Sequence, residues 1–419
     1  MSSLVEPPEE RQRHPLLLLA PATFFEGYDL LVLSLVLPLI RSQFHLTVEQ
    51  SGFLVSMVFA GSFGAFILLP LADRFGRKPL LMTTILGYTV ATFLTAFTRG
   101  MVGFVVCQFV ARLFMSAEIM LATIVLVETT ESERRGKAFG LLSSMSALGQ
   151  AAAGAGFLFI LTFRASWRVL YLIAVAPLLL FAYARRHLEE TGRRDVTQRV
   201  LLRQLSRRWF FGAALLSLFI AIYPAAVTTL ASTLVLDEWK LNLAGIQPWY
   251  FGVWLLAVTG FFVAGRMMDW LGRRPTSIIF FTATALAGLT AFTATTTPGR
   301  AIGLGLVVFT ITGSTPCLSA YSTELFPNGL RGTAGAVLQV MSITGAAIAP
   351  ALTTSLSVPL GSLSRSLSVI GISYLFGAAT VLLLLPETRS LVEGALPSTG
   401  QDASPPNEMS PDSPHHEGL

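Results

Sequence analysis

Four charged side chains stand where an apolar sequence has little room for them. Glu26 and Asp29 interrupt the first long apolar run, in Phe24-Phe25-Glu26-Gly27-Tyr28-Asp29. Arg112 and Glu118 interrupt the fourth, in Arg112-Leu113-Phe114-Met115-Ser116-Ala117-Glu118. A charge at the centre of a bilayer costs at least about 2.5–3.5 kcal/mol on insertion scales, so each must line a wet cavity or find a partner. Glu26 and Asp29 are three residues apart and share one helix face. Gly27 between them leaves room for a ligand or a second helix to approach the backbone. Burial favours the protonated form of a carboxyl group, and a nearby Arg favours the ionised form. A carboxyl group under both influences can bind and release a proton as its surroundings change shape. We expect that chemistry of Asp29 and, beside it, Glu26. Arg112 falls near Asp29 in depth and suits an anion. Six residues separate Arg112 from Glu118, about 600° of helical turn, so the two do not share a face. Glu118 is therefore expected to meet the first helix or the cavity on its own. A buried ion pair that only fixes packing is the competing reading.

Uncharged polar groups join this set as candidate ligand contacts. They are Gln150 in the fifth run, Tyr223 in the seventh, Trp254 in the eighth and Gln339 in the eleventh. Tyr223 precedes Pro224, which is expected to interrupt its helix and free backbone groups for a ligand. Such side chains also serve as glue between helices.

The elements that must position these groups are membrane helices. Of 419 residues, 53% are hydrophobic and only 13% charged, against about 25% charged in soluble domains. Apolar stretches of about 20 residues, long enough for a hydrocarbon core of about 30 Å, recur along the chain. We expect an all-α integral membrane protein with twelve helices, at about 15–40, 50–71, 79–98, 101–128, 138–162, 167–184, 209–235, 247–268, 276–296, 299–323, 333–357 and 366–385. Lys and Arg fall roughly three times as often in the loops of one side, which places both termini in the cytoplasm. The expected order is a cytoplasmic tail (1–14), a six-helix half (15–184), a basic linker (185–208), a second six-helix half (209–386) and a disordered tail (387–419). The linker arginines anchor the chain and attract anionic lipid head groups. The net charge of +5 is spread over loops rather than gathered in a patch, so nucleic acid is not an expected partner. Cys107 and Cys317 fall inside apolar runs, which argues against a disulfide framework or a zinc site. The first run carries Glu26 and Asp29 and lacks a small-residue cleavage site, so it reads as a retained helix. No nucleophile-and-base constellation, metal-ligand spacing or phosphate loop points to an enzyme.

The chain is written twice. Asp73-Arg74-Phe75-Gly76-Arg77-Lys78 returns as Asp269-Trp270-Leu271-Gly272-Arg273-Arg274, an offset of 196. The same offset carries Glu128 to Glu324, Arg135 to Arg331 and Gly149 to Gly345. A register kept this long makes two copies of one unit, and internal repeats in an apolar chain mark secondary transporters. The repeated charges Asp73, Arg77, Glu128, Arg135, Asp269, Arg273, Glu324 and Arg331 fall at the expected cytoplasmic rim. There they are expected to pair while the protein is closed inward and to part when it opens, as a gate. The interior charges behave differently. The offset carries Glu26 to Ile222, Asp29 to Ala225, Arg112 to Val308 and Glu118 to Ser314. They belong to the first copy alone, and a frame residue should occur in both. That separates chemistry from scaffold.

The repeated loop resembles the signature loop of the major facilitator superfamily. The family pattern opens with a Gly four residues before the Asp, which Gly265 supplies in the second copy and Leu69 replaces in the first. Glu26-Gly27-Tyr28-Asp29 resembles the acid-Gly-x-Asp stretch of aromatic-acid:proton symporters, with Glu26 for the usual first Asp. Arg112 looks like the family's second signature, linked there to proton coupling, with Ser116 and Ala117 where Gly is usual. Glu118 after two small residues is similar to helix 4 of niacin and organic-ion porters. Glu324-Leu325-Phe326-Pro327 and Pro386-Glu387-Thr388 look like the matching stretches of sugar and organic-ion porters. The resemblance implies alternating access and proton-coupled import of a small organic acid or organic ion. Asp29, Arg112 and Glu26 would then couple the proton, while Arg112, Glu118, Gln150, Tyr223, Trp254 and Gln339 meet the substrate. No cofactor is expected beyond the coupling proton. The expected partners are a small-molecule substrate and the lipid bilayer, with the protein acting as a monomer in the cell membrane, the inner one in a bacterium. Two alternatives stay open: proton-driven efflux of drugs or metabolites, and uniport. Against efflux, Gly149-Gln150-Ala151-Ala152-Ala153-Gly154 lacks the Gly-Pro of the antiporter signature.

Overall fold

A chain without water around it must satisfy its backbone internally, and helices do so within each segment. The computed structural model describes residues 8–129, 135–185, 207–240, 256, 259–326 and 331–388, and among these the ordered elements are all helical. In the first half, α1 is Pro8–Gln43. The second helix, α2, joins Val48–Ala60 to Ala65–Phe75 through a tight turn at Gly61–Gly64. Then follow α3 (Arg77–Thr95), α4 (Met101–Thr129), α5 (Arg135–Thr162) and α6 (Arg168–Arg185). In the second half, α7 is Arg207–Thr233, ending in a wide turn at Leu234–Glu238. Next come α8 (259–271), α9 (Arg273–Thr293), α10 (Thr297–Glu324), α11 (Arg331–Leu360) and α12, built from Leu363–Ile370 and Ser373–Leu384. Among the described residues, nine helical segments are long and apolar enough to cross a membrane by length and composition. The first helix begins at Pro8 rather than at 15; proline fits a first turn because its missing N–H is not needed there.

The repeat is visible in the backbone. Gly76 and Gly272, offset by 196, end α2 and α8 with φ of 97° and 96°, a region that glycine enters freely and other residues avoid. The chain reverses there into α3 and α9. The Gly that opens the family pattern is not needed for packing. A Cβ on Gly265 would meet nothing within 4 Å, and Leu69 packs against the small apolar cluster of Leu80, Leu121 and Leu126.

Within the first half, α1 and α5 touch backbone to backbone. A Cβ on Gly27 would stand 2.0 Å from the Ser146 carbonyl oxygen, and one on Gly149 would stand 1.8 Å from that of Phe24. The room beside Gly27 is thus taken by a helix, not left for a ligand. Between the halves, α1 meets α7 and α2 meets α11. The Ser34 and Ser232 hydroxyls lie 2.9 Å apart, and Ser232 donates to the Ser34 carbonyl at 2.7 Å. Arg41 pairs with Asp237. The Ala351 N–H donates to the Ser56 hydroxyl at 2.9 Å, and Thr354 donates to the Glu49 carbonyl at 3.4 Å. These described polar contacts gather toward the face where α1 and α7 end and α2 begins, the expected outer face.

Candidate functional site

The first half keeps its charges between α1, α3 and α4. Asp29 on α1 and Arg112 on α4 are only 3% and 5% exposed, and Arg112 Nη2 lies 3.4 Å from Asp29 Oδ2. The guanidinium also faces the Phe59 ring of α2, with Cζ 4.9 Å from its centroid. In a low-dielectric interior the attraction of such a pair repays part of the cost of desolvating both partners, whereas either alone would be an uncompensated buried charge. Glu26, half-buried one turn earlier, feels both Arg112 and Asp29 as charged neighbours. Tyr28 turns away and donates its hydroxyl to the Leu170 carbonyl of α6 at 2.7 Å.

Glu118, 4% exposed, reaches a different helix. Its carboxylate accepts a hydrogen bond from the Thr84 hydroxyl of α3. Arg112 and Glu118 therefore serve different neighbours, as 600° of turn requires. The structure brings Asp29, Arg112 and Glu26 into one cluster and sets Glu118 apart on the α3 side.

The uncharged candidates divide. Tyr223 is fully buried, but it packs into the second half instead of toward Arg112. A Cβ on Gly288 of α9 would lie 2.1 Å from its hydroxyl, and its ring meets Tyr374 of α12 edge-on at 5.8 Å between centroids. Pro224 does not interrupt α7 either; the helix runs from Arg207 to Thr233 through it. Proline removes one N–H, and packed neighbours hold the rest of the helix together. Gln150 is half-buried on α5 and Gln339 is exposed on α11. Trp254 lies outside the described residues.

The repeated frame is described best in its second copy. Arg273 Nη2, at the start of α9, stands 3.2 Å from Glu324 Oε1 at the end of α10. Glu387 accepts the backbone N–H groups of Arg273 and Arg274, both at 2.9 Å, which places a carboxylate at the positive end of α9. Thr388 donates its hydroxyl to Glu324. Asp269 is exposed and Arg77 half-buried. The side chains of Asp73, Glu128, Arg135 and Arg331 lie outside the described set. The Arg273–Glu324 pair stays within one half and coexists with halves that meet at the opposite face. It braces that half and does not itself join the two.

Three features of the site carried little or no signal in the sequence: Phe59 over Arg112, Thr84 on Glu118, and the serine pair between α1 and α7. The Arg41–Asp237 pair did carry one, because the two positions are related by the same offset of 196.

The chain is similar to known membrane transporters along most of its length. The family model described as Major Facilitator Superfamily matches residues 19–350. A cis,cis-muconate transport protein of Acinetobacter baylyi is 26% identical over 393 residues, covering 88% of this chain and 93% of its own. A niacin transporter of the same organism is 24% identical over 407 residues, covering 87% and 92%. The crystal structure of a D-xylose–proton symporter superposes with a TM-score of 0.75 at 18% identity, covering 90% of this chain and 98% of that one. With a matched family model, a repeated helical bundle and a buried charged centre in agreement, the chain belongs to the Major Facilitator Superfamily, as a multi-pass transporter of the cell membrane that moves a small molecule and is not an enzyme.

Proposed function

We propose that the protein imports a small organic acid of the aromatic-acid or nicotinate-like class together with a proton. The observation that carries this reading is the buried Asp29–Arg112 pair between α1 and α4. While Asp29 is ionised, it holds the guanidinium. Protonation of Asp29 releases Arg112, whose planar fork of donors matches a carboxylate. A substrate carboxylate then takes the place that Asp29 vacates, so proton and substrate each favour the binding of the other. When Asp29 loses its proton it recaptures Arg112, and the substrate leaves. Phe59 covers one face of the guanidinium and leaves its edge for the exchange. Glu26 adds a second acid that keeps a lone anion from binding well without the proton.

The contacts at Ser34, Ser232, Arg41 and Asp237 close the expected outer face, so we read this state as facing the cytoplasm, with both termini there and the chain acting as a monomer. Two relatives named for muconate and niacin, both carrying carboxylates, support an acid as cargo. Both belong to other chains, and the proposal for this one stands on its ion pair.

The test is proton movement in proteoliposomes challenged with benzoate, nicotinate, cis,cis-muconate, a hexose and an organic cation. An organic acid should draw protons inward with the wild type. Asp29→Asn should lose accumulation at least tenfold while retaining exchange of labelled for unlabelled acid. Silence to every acid, with lipophilic drugs dissipating an imposed pH gradient, overturns the proposal in favour of export.

A further inference from the structure

The polar interior of the first half extends beyond its four charges. Thr84, Tyr88, Thr92 and Thr95 of α3 are all buried and follow one another at intervals of four, four and three, which sets them along one face of the helix. Across from them on α4 stand Gln108, Arg112 and Glu118, also buried. The seam is hydrogen-bonded at both ends: Thr84 donates to Glu118, and Gln108 Nε2 donates to the Thr95 hydroxyl at 3.0 Å. Its middle is not. The Tyr88 and Thr92 hydroxyls lie close only to each other, without a well-formed hydrogen bond, and Gln108 Oε1 reaches no partner among the described residues.

An unsatisfied buried polar group costs about 1–3 kcal/mol, and protein interiors usually meet that cost with bound water. Here there is room for it. A cavity of about 10 Å³ lies between α1, α3, α4 and α6, lined by Tyr88 and Glu118 with Pro21, Phe25 and Met115 among its apolar walls. That is close to the space one water needs, and two polar groups line it.

The repeat shows that the fold does not require this seam. The offset of 196 carries Thr84 to Phe280, Tyr88 to Thr284, Thr92 to Gly288, Thr95 to Ala291 and Gln108 to Leu304. The second copy builds the same helix pair with shorter polar side chains, and the hydroxyls of Ser277, Thr284 and Ser314 are satisfied by carbonyls of their own helices at 2.7, 2.8 and 2.7 Å. Long polar groups that reach across the helix pair are kept in one copy alone, which calls for a role of their own.

We propose that the α3–α4 seam is hydrated and relays the coupling proton between Asp29 and Glu118, with the Tyr88 hydroxyl as the middle member of the relay. This rests on the proton-coupled reading above and adds the route by which Asp29 discharges. In the hydrated seam Asp29 gives its proton through water to the Tyr88 oxygen as Tyr88 passes its own hydroxyl proton to the cavity water. The water in turn protonates the Glu118 carboxylate. Only O–H bonds form and break, and the negative charge moves from Glu118 to Asp29. The ionisable groups around Tyr88 are Asp29 and Tyr28 of α1, Arg112 and Glu118 of α4, and Tyr171 of α6. Glu118 lies about one and two-thirds turns beyond Arg112, toward the end of α4 that is expected in the cytoplasm, so the route leads inward without crossing the substrate.

Tyr88→Phe removes one hydroxyl and leaves the ring. In proteoliposomes with nicotinate and cis,cis-muconate as probes, the variant should exchange labelled acid within about twofold of wild type. Its accumulation driven by a pH gradient should fall at least tenfold, with a matching loss of inward proton movement. Thr92→Val, expected to lower accumulation about threefold at unchanged exchange, keeps the proposal testable if the first variant folds poorly. Accumulation by Tyr88→Phe within twofold of wild type overturns the relay, and so does an equal loss of exchange and accumulation, which would make the residue structural. A wild type that accumulates acid without moving protons fails differently: it removes the coupled reading itself, and the relay falls with it.

Discussion

The two halves of this transporter share a frame and differ in what they bury. Both turn at a glycine with φ near 97°, Gly76 and Gly272, and both bring their first and fifth helices into backbone contact, through Gly149 and Gly345. Inside, the first half encloses Asp29, Arg112, Glu118 and the α3–α4 polar seam. At related depth, the second encloses Tyr223, Phe281 and Tyr374, stacked edge to face at 5.8 Å. The comparison teaches a division of labour. Repetition supplies two similar bodies, and divergence gives one of them the buried charges. Burying an unpaired charge is costly, so concentrating the charges in one half lets them compensate one another.

The sharpest way to break the comparison is to remove the cation. Arg112→Leu should abolish net uptake, at least a hundredfold, and should lower the thermal midpoint of the detergent-solubilised protein. Loss of one partner of a buried pair costs about 3–5 kcal/mol when the other remains charged. The double variant Asp29→Ala with Arg112→Val gives the first half the residues that stand at Ala225 and Val308 in the second. It should recover most of the lost stability and none of the uptake. Recovered uptake would mean that the pair only holds the helices together.

The reverse transplant is gentler. Val308→Arg puts a charge at the matching depth of the second half, where no acid waits. Folded yield, read by fluorescence-detected gel filtration, should fall severalfold, in line with about 2.5–3.5 kcal/mol for an unpaired interior charge. Adding Ala225→Asp should restore part of that yield. Equal yields for the single and double variants would show that the second half tolerates charge as well as the first, and the contrast between them would lose its physical basis.

How much of this was legible in the sequence depended on whether a residue's partner was fixed by periodicity. The twelve-helix plan and the two copies could be read from apolar run lengths and one constant offset. The interior charges stood out because that offset failed at Asp29, Arg112 and Glu118. Their partners were harder. Arg112 could be matched in depth with Asp29, but helix rotation decides whether two side chains meet, and no local pattern encodes it. Thr84 and Tyr88 stood out in no sequence pattern; the structure shows one bound to Glu118 and the other beside Thr92 in the cavity wall. Tyr223-Pro224 misled for a related reason. A proline suggests a broken helix, but α7 has neighbours on several sides and loses only one hydrogen bond. The gate charges are expected in the loop after the second helix of each copy and at the inner end of its fourth, and the pair that can be seen, Arg273 with Glu324, joins α9 to α10 within one half.

The smallest expected effect separates bracing from bridging. Arg41 and Asp237 join the halves at the expected outer face and are 20% and 35% exposed. A pair this open to solvent contributes about 0.2–1 kcal/mol, enough to shift a two-state equilibrium by at most about fivefold. The serine contact between α1 and α7 remains when it is lost. Arg41→Ala should therefore raise the outward-facing population only modestly. The readout is the rate at which a membrane-impermeant thiol reagent labels Ser56→Cys, beside the α2–α11 contact, in a Cys107→Ser background. We expect a two- to fivefold faster rate with Arg41→Ala and a weaker salt dependence of that rate, because the pair being removed is the part that ions screen. Arg273→Gln should leave the labelling rate unchanged while slowing turnover, since its partner Glu324 moves with it in the same half. If Arg273→Gln speeds labelling and Arg41→Ala does not, the lock between the halves runs through the repeated frame after all, and the outer pair is only a surface contact.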